Sequence, residues 1–315
     1  MGDCETADFK KKFLIIDGSA LLHRAYHALP RLSTKEGIVI NAVYGFTSVL
    51  IKILKELKPT YVAVAFDLPT PTFRHKEFKE YKAQRPKQPQ ELYDQIPLVK
   101  EILESFQIPV YEKEGYEADD IIATICVKNK EENKEIENII LTGDLDTLQL
   151  VDKQTSVLAF KKGISETILY NEDKIRERFN LEPTQLVDYK ALRGDPSDNI
   201  PGVRGIGEKI AAELIRKFGS LEKIYEKKEE IRAKIREILE KNKEIAEKSK
   251  NLVTLCKNVP LDFKLEEAKF KKYDMERISK VFQKLEFQSL LKRIYDSNNS
   301  RTDITKNSGS QNVLF

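Results

Sequence analysis

At 315 residues the chain is long enough for one large domain or two smaller ones, and its 54 Lys and Arg stand against 51 Asp and Glu, a net charge of only +3. Bulk charge therefore announces no nucleic-acid binder; only the distribution of charge along the chain can do so. Cys4, Cys126 and Cys256 are odd in number and lack any C-x-x-C spacing, which argues against a disulfide framework or zinc site and for a reducing cytoplasm, while no apolar run approaches the ~18 residues of a membrane span.

After a polar leader (1–12), the run Phe13-Leu14-Ile15-Ile16 predicts a buried strand ending at Asp17, with Gly18-Ser19 as a sharp exit. Asn41 is expected to cap a helix over 41–57, with Val43, Phe46, Leu50, Ile53 and Leu54 on its apolar face. A second strand runs from Tyr61 to Asp67. The segment at about 70–95 is broken by Pro71, Pro86 and Pro89 and interleaves Arg74, Lys76, Lys82 and Arg85 with Phe73, Phe78 and Tyr81. Such a basic, aromatic, poorly periodic insertion suits a mobile loop or short helices that hold a single strand. A helix over 91–106 and a strand at 108–111 follow.

Next, Glu117-Ala118-Asp119-Asp120 crowds three carboxylates into four positions at the start of an apolar helix reaching about residue 134. Taken alone it reads as an acidic capping turn. A strand over 138–142 then delivers Asp144 and Asp146. Two β-like runs (156–160, 166–170) and helices at 171–179 and 183–192 lead to Gly194-Asp195-Pro196-Ser197-Asp198, a second close acidic pair. The turn Gly202-Val203-Arg204-Gly205-Ile206-Gly207 opens directly into a helix over 208–218 carrying Lys209. No strand precedes it, so a dinucleotide fingerprint is excluded and a helix–hairpin–helix clamp on a duplex backbone fits better. A charged helical stretch (221–255) reads as structural, helices at 274–285 and 288–294 close the globule, and the Ser/Asn/Thr-rich tail at 296–315 is expected to be disordered.

Alternation of strand and helix predicts an α/β fold with a mostly parallel central sheet, and such sheets bind ligands beyond the carboxyl ends of their strands. Asp17, Asp67, Glu117, Asp119, Asp120, Asp144, Asp146, Asp195 and Asp198 are then expected near one rim, where their repulsion calls for cations. Oxygen ligands without His or Cys point to Mg²⁺ or Mn²⁺, and two or more such ions suit phosphodiester hydrolysis.

These segments, with Asn41-Ala42-Val43-Tyr44-Gly45-Phe46, Tyr81-Lys82-Ala83-Gln84-Arg85, Thr142-Gly143-Asp144-Leu145-Asp146 and residues 194–209, occur in an order and spacing that resembles the 5′-nuclease family, in particular the 5′ to 3′ exonuclease domain of bacterial DNA polymerase I, related to the flap endonucleases. The resemblance covers about residues 13–294. It implies a PIN/5′-nuclease-like core (13–180) with a helical arch, and a helical DNA-binding region (181–295) with a helix-three-turn-helix at about 185–218. It further implies cleavage of flapped, nicked or branched duplex DNA, in removal of RNA primers during replication and in repair. On this resemblance the nine acids are metal ligands, with Asp146, Asp195 and Asp198 nearer the second ion. Lys82 and Arg85 act on the scissile phosphate, and Arg74 and Tyr81 contact the threaded strand. Gly202, Arg204, Gly205, Gly207 and Lys209 hold duplex phosphates, with a bound K⁺.

Leu145 departs from the family pattern, which usually carries Lys there. With no polymerase module after Ile294 in this sequence, the chain is expected to be either a stand-alone nuclease or a fragment of a larger polymerase; the tail favours the first, monomeric and cytoplasmic at the nucleoid. Its end, with Gln311, Leu314 and Phe315, resembles peptides that dock on the bacterial sliding clamp. The rival readings are a PIN-type ribonuclease, against which the basic arch and glycine turn argue, and a non-catalytic branched-DNA binding protein, which would be expected to lack some of the acids.

Overall fold

The computed structural model describes residues 11–271 and 273–296. Strands β1 (Lys11–Asp17), β2 (Tyr61–Ala65), β3 (Val110–Tyr111), β4 (Ile136–Thr142), β5 (Thr155–Lys162) and β6 (Glu166–Tyr170) form one sheet in the order β3-β2-β1-β4-β5-β6. All neighbouring pairs are parallel except β5 and β6. Successive side chains of a strand point to opposite faces, and here each face has its own core. Phe13, Ile15, Ala63, Ala65 and Ile140 enter one, and Leu14, Ile16, Val62, Val64 and Leu141 the other. Covering both faces explains why these runs are continuously apolar.

The helices between strands are α1 (Gly18–Ala28), α2 (Asn41–Leu57), α3 (Phe73–Glu77), α4 (Gln90–Tyr93), α5 (Ile96–Ser105) and α6 (Ala118–Glu132). Beyond β6 the chain is helical: α7 (Glu172–Phe179), α8 (Leu186–Arg193), α9 (Glu208–Phe218), α10 (Leu221–Glu226), α11 (Ala233–Lys241), α12 (Lys243–Val253), α13 (Met275–Lys284) and a last helix at 288–296. α6 and the helices from α7 to α12 pack around the first core. Buried side chains from α1, α2, α5, α13 and the last helix fill the second, so the chain returns at its end to the sheet.

Three local expectations change. Asn41 is the first residue of α2 and no cap; its amide donates to the Tyr26 carbonyl (3.1 Å), and the capping acceptor is Gln95, whose Oε1 receives the N–H groups of Ala42 (2.8 Å) and Val43 (3.2 Å). Engaging Gln95 in this way interrupts the helix expected over 91–106. It becomes α4 and α5, the latter with Pro97 in its first turn, where a missing N–H does no harm. Likewise 221–255 divides into α10, α11 and α12 with breaks at Lys227, Arg232 and Asn242.

Candidate functional site

Register places the first acids. Asp17 ends β1 opposite Ala65, so Asp67 stands just past the same edge of β2, while Asp144 follows β4 beyond Thr142. A Cβ on Gly18 would lie 2.5 Å from the Phe66 ring, so only glycine lets the β1 exit close against the β2 exit and bring Asp17 and Asp67 together. Asp17 accepts from the Ala20 N–H (2.8 Å) and the Thr142 hydroxyl (2.7 Å), and Asp67 accepts from the Ala118 N–H (2.8 Å) at the start of α6. That helix end also presents Asp119. All four acids line a cavity of about 1100 Å³, together with Glu117, Lys82 and Arg85.

Crowding shows in the protonation of these groups. Burial, then Asp67 and Asp144, push the Asp17 carboxyl up to about 7. Asp119 is pushed well upward by burial and then by Asp144, Asp17 and Asp146, and its shielded Oδ1 has no hydrogen-bond partner. Asp146, raised to about 7 by burial and Asp144, belongs to a neighbouring cavity of about 470 Å³ with Asp195. Between these two acids stands Lys190, whose Nζ donates to Asp146 Oδ1 and to Asp195 Oδ2 (2.8 Å). Asp195 is also held by the Ser197 N–H (2.9 Å) and hydroxyl (2.6 Å). Sequence reasoning missed Lys190; its signal is a lysine in the last turn of a helix, five residues before an acidic loop.

Remaining acids are engaged by the segment expected to form the arch. Between α3 and α4 it forms turns that lie on the 195–199 loop: Lys82 N–H donates to the Asp198 carbonyl (3.0 Å), Gln84 to the Pro196 carbonyl (2.9 Å), and Asn199 to the Glu80 carbonyl (2.7 Å). Lys82 takes a left-handed backbone there, φ 55°. Its Nζ lies 3.0 Å from Glu117 and 3.6 Å from Asp198, and Arg85 reaches Asp198 at 2.5 Å. Tyr81 is buried, its hydroxyl donating to both Glu117 and Asp198 at 3.1 Å, so it faces the acids in place of a threaded strand. Among the described residues no three His, Cys, Asp or Glu side chains stand as a closed ligand group, and Lys82, Arg85 and Lys190 pair with the outer acids Glu117, Asp198, Asp146 and Asp195.

Arg74 and Asp120 stand apart from the cavity and are engaged with each other. Arg74 is 1% exposed and Asp120 0%, and they form a two-pronged ion pair at 2.7 and 2.8 Å. Arg74 also donates to the Leu252 and Thr254 carbonyls, while Asp120 accepts from the Cys256 and Glu117 N–H groups. Both are thus turned away from the cavity, tying the start of α6 to the end of α12. For Asp120 the capping role is the one realised.

At the glycine turn, Gly205 and Gly207 are exposed with Arg204 and Lys209, and no side chain caps α9, leaving its first-turn N–H groups directed outward. Gly202 differs. It is buried with φ 58°, its N–H donates to the Ser249 hydroxyl (3.2 Å), and an added Cβ would lie 2.2 Å from Gly194 N. It shapes the turn and cannot offer its amide to a phosphate. Gln311, Leu314 and Phe315 lie outside the described residues. Among the described residues no helix is long and apolar enough to cross a membrane.

Comparison with known proteins gives a consistent result. Residues 12–180 match a family described as 5′-3′ exonuclease, N-terminal resolvase-like domain, and residues 181–276 match 5′-3′ exonuclease, C-terminal SAM fold. The chain is 44% identical over 285 residues to DNA polymerase I of Caldicellulosiruptor bescii, and 41% identical over 286 residues to that of Bacillus subtilis. Each alignment covers 90% of this chain but only 33% and 32% of the relative, so the chain spans about a third of their length. In fold it resembles the T5 D15 protein (TM-score 0.66, 22% identity, 92% of this chain and 99% of that one) and the catalytic core of Rad2 (0.57, 16%, 92% and 94%). Over 12–276, sheet edge and helical turn alike, the chain belongs to the 5′-3′ exonuclease family.

Proposed function

We propose that the chain is a structure-specific 5′ to 3′ exonuclease and 5′-flap endonuclease that hydrolyses DNA phosphodiesters with divalent metal ions. The observation that carries this reading is the meeting of Asp17, Asp67, Asp119 and Asp144 at one sheet edge, with the cations of the 80–85 segment laid across it. An all-carboxylate donor set, raised protonation of Asp17 and Asp119, and an orphaned Asp119 oxygen fit a hard divalent ion such as Mg²⁺ or Mn²⁺. Asp17, Asp67, Glu117, Asp119 and Asp144 would hold one ion, and Asp146, Asp195 and Asp198 would serve a second. Bound there, the ions supply an activated water and stabilise charge on the phosphate oxygens.

The chain's own side chains do the rest. Lys82 and Arg85, now paired with acids, are the groups that meet the scissile phosphate and neutralise its charge. Arg204, Lys209 and the free amides around Gly205 and Gly207 grip the duplex backbone, with K⁺ as an additional ligand of that turn. The solved T5 relatives include a flap endonuclease with DNA and metal ions, which supports the same substrate and cofactor class here. The likeness to DNA polymerase I favours a setting in primer removal and repair; the further reading, a cytoplasmic monomer whose tail at Gln311, Leu314 and Phe315 docks on a sliding clamp, rests on the sequence alone. A core at 13–180 and a duplex-gripping region at 181–295 divide the work.

The test is a 5′-labelled flap duplex incubated with Mg²⁺, with EDTA, and with Asp119→Asn protein. Cleavage near the flap junction should need both the metal and Asp119, with flap binding retained in the variant. Tight binding by the wild-type chain without cleavage in either Mg²⁺ or Mn²⁺ would refute the nuclease reading.

A further inference from the structure

Beside Asp144, Asp146 and Asp195, the 470 Å³ cavity has a second wall that phosphodiester hydrolysis as described does not use. It carries Arg178 at the end of α7 and Arg193 at the end of α8. Their neighbours in the cavity, Arg85 and Lys190, are both committed to carboxylates. Arg178 and Arg193 are not: among the described residues neither guanidinium has a carboxylate within the 4.0 Å of an ion pair. Leu145, in the same cavity, contributes no charge.

What holds these two arginines is aromatic. Arg178 lies 5.0 Å from the Phe179 ring centroid and 5.5 Å from that of Tyr170, and its Nη1 donates to the Tyr170 hydroxyl. Arg193 lies 5.9 Å from the Tyr189 centroid. Phe179 and Tyr189 themselves meet edge to face at 6.5 Å, so the two guanidiniums sit on one joined aromatic ledge. A ring orients a guanidinium without neutralising it, which leaves the full charge and the outer N–H groups for an anion. A carboxylate partner would have consumed both.

We propose that Arg178 and Arg193 form a phosphate-holding subsite, which binds a backbone phosphodiester of the substrate next to the one cleaved. The subsite rests on the nuclease reading of the acidic edge. Its chemistry follows from its setting: an acidic rim repels an approaching DNA backbone, and a pair of uncommitted, pre-oriented cations at the rim's edge offsets that repulsion where the strand passes. Guanidinium is suited to the task because its fork matches two phosphate oxygens.

The test measures binding of a nicked flap duplex in EDTA, across a salt series, by wild type, Arg178→Gln, Arg193→Gln and the double variant. Each single change should weaken binding about fivefold, and the double variant should lower the log–log salt slope by about 0.9, because one phosphate is no longer neutralised. Arg178→Lys/Arg193→Lys keeps the charge and should keep most of the slope while giving up part of the affinity, which separates phosphate binding from a folding defect. Arg176→Gln serves as a control, since that exposed arginine is occupied by Asp173 and Glu182. A wild type that cleaves flaps, with a double variant matching it in affinity and slope, would overturn the subsite and leave the nuclease reading standing. A wild type that neither binds nor cleaves would overturn both.

Discussion

Replacing Arg74 with Met asks whether this residue belongs to the DNA or to the fold. In the structure its guanidinium is sealed from solvent and makes five hydrogen bonds, to Asp120 twice, Glu117, and the Leu252 and Thr254 carbonyls. Burial works against its charge, but Asp120 and Glu117 outweigh that and hold it more firmly protonated than usual. Met fills most of the volume and leaves the Asp120 carboxylate buried without its counter-ion, a loss of about 3–5 kcal/mol. At roughly 2–4 °C per kcal/mol for a chain of this size, the melting temperature should fall by roughly 6–20 °C. Urea and thermal unfolding followed by circular dichroism measure it. Arg74→Met/Asp120→Asn should recover about half of the loss, because it removes the stranded charge while the amide oxygen keeps one of the two bonds from the Cys256 and Glu117 N–H groups. An unchanged unfolding midpoint together with weakened flap binding would refute this reasoning and put Arg74 on the substrate.

Lys190→Met should lower the stability of the chelated protein by about 2 kcal/mol, since it leaves Asp146 and Asp195 facing each other. Saturating Mg²⁺ should shrink that loss, and an equal loss with and without the metal, read from melting curves, would separate Lys190 from any metal role. Burial pushes the Cys126 thiol up to about 12, so at pH 8 it is almost wholly protonated as well as enclosed. Iodoacetamide should therefore label the partly exposed Cys256 first and reach Cys126 only through unfolding; equal labelling rates by peptide mass spectrometry would contradict this.

The sheet was legible because its strands are buried on both faces and stop at acids: Phe13–Asp17, Tyr61–Asp67 and Ile139–Asp144 carry both the strand signal and the site signal. Asp17, Asp67 and Asp144 follow from that edge geometry alone. Direction of individual side chains was not legible. Asp119 and Asp120 are adjacent and chemically alike, yet one faces the cavity and the other faces Arg74 and the Cys256 N–H, a choice made by Arg74 from across the chain. Helix breaks were hidden for the same reason. Gln95 looks like an ordinary helical residue until Ala42 and Val43, more than fifty positions earlier, need an acceptor. The basic character of 70–95 was plain, whereas its place against the 195–199 loop depends on hydrogen bonds such as Asn199 to Glu80, between segments that share no local pattern.

One consequence of the returning C-terminal helices concerns the order of synthesis. Ile278, Phe282, Leu285, Phe287, Leu290 and Ile294 are almost fully buried against the same sheet face as Leu14 and Val62, and roughly 1.5–3 kcal/mol attaches to each such side chain. Together that rivals the roughly 5–15 kcal/mol by which a whole domain is stable. As the ribosome releases the chain from its N-terminus, the sheet is thus complete in hydrogen bonds by Tyr170 yet keeps an open apolar face until Ile294 emerges. Premature termination anywhere in the last helices would leave a nearly finished fold marked for chaperones and proteases by that uncovered face.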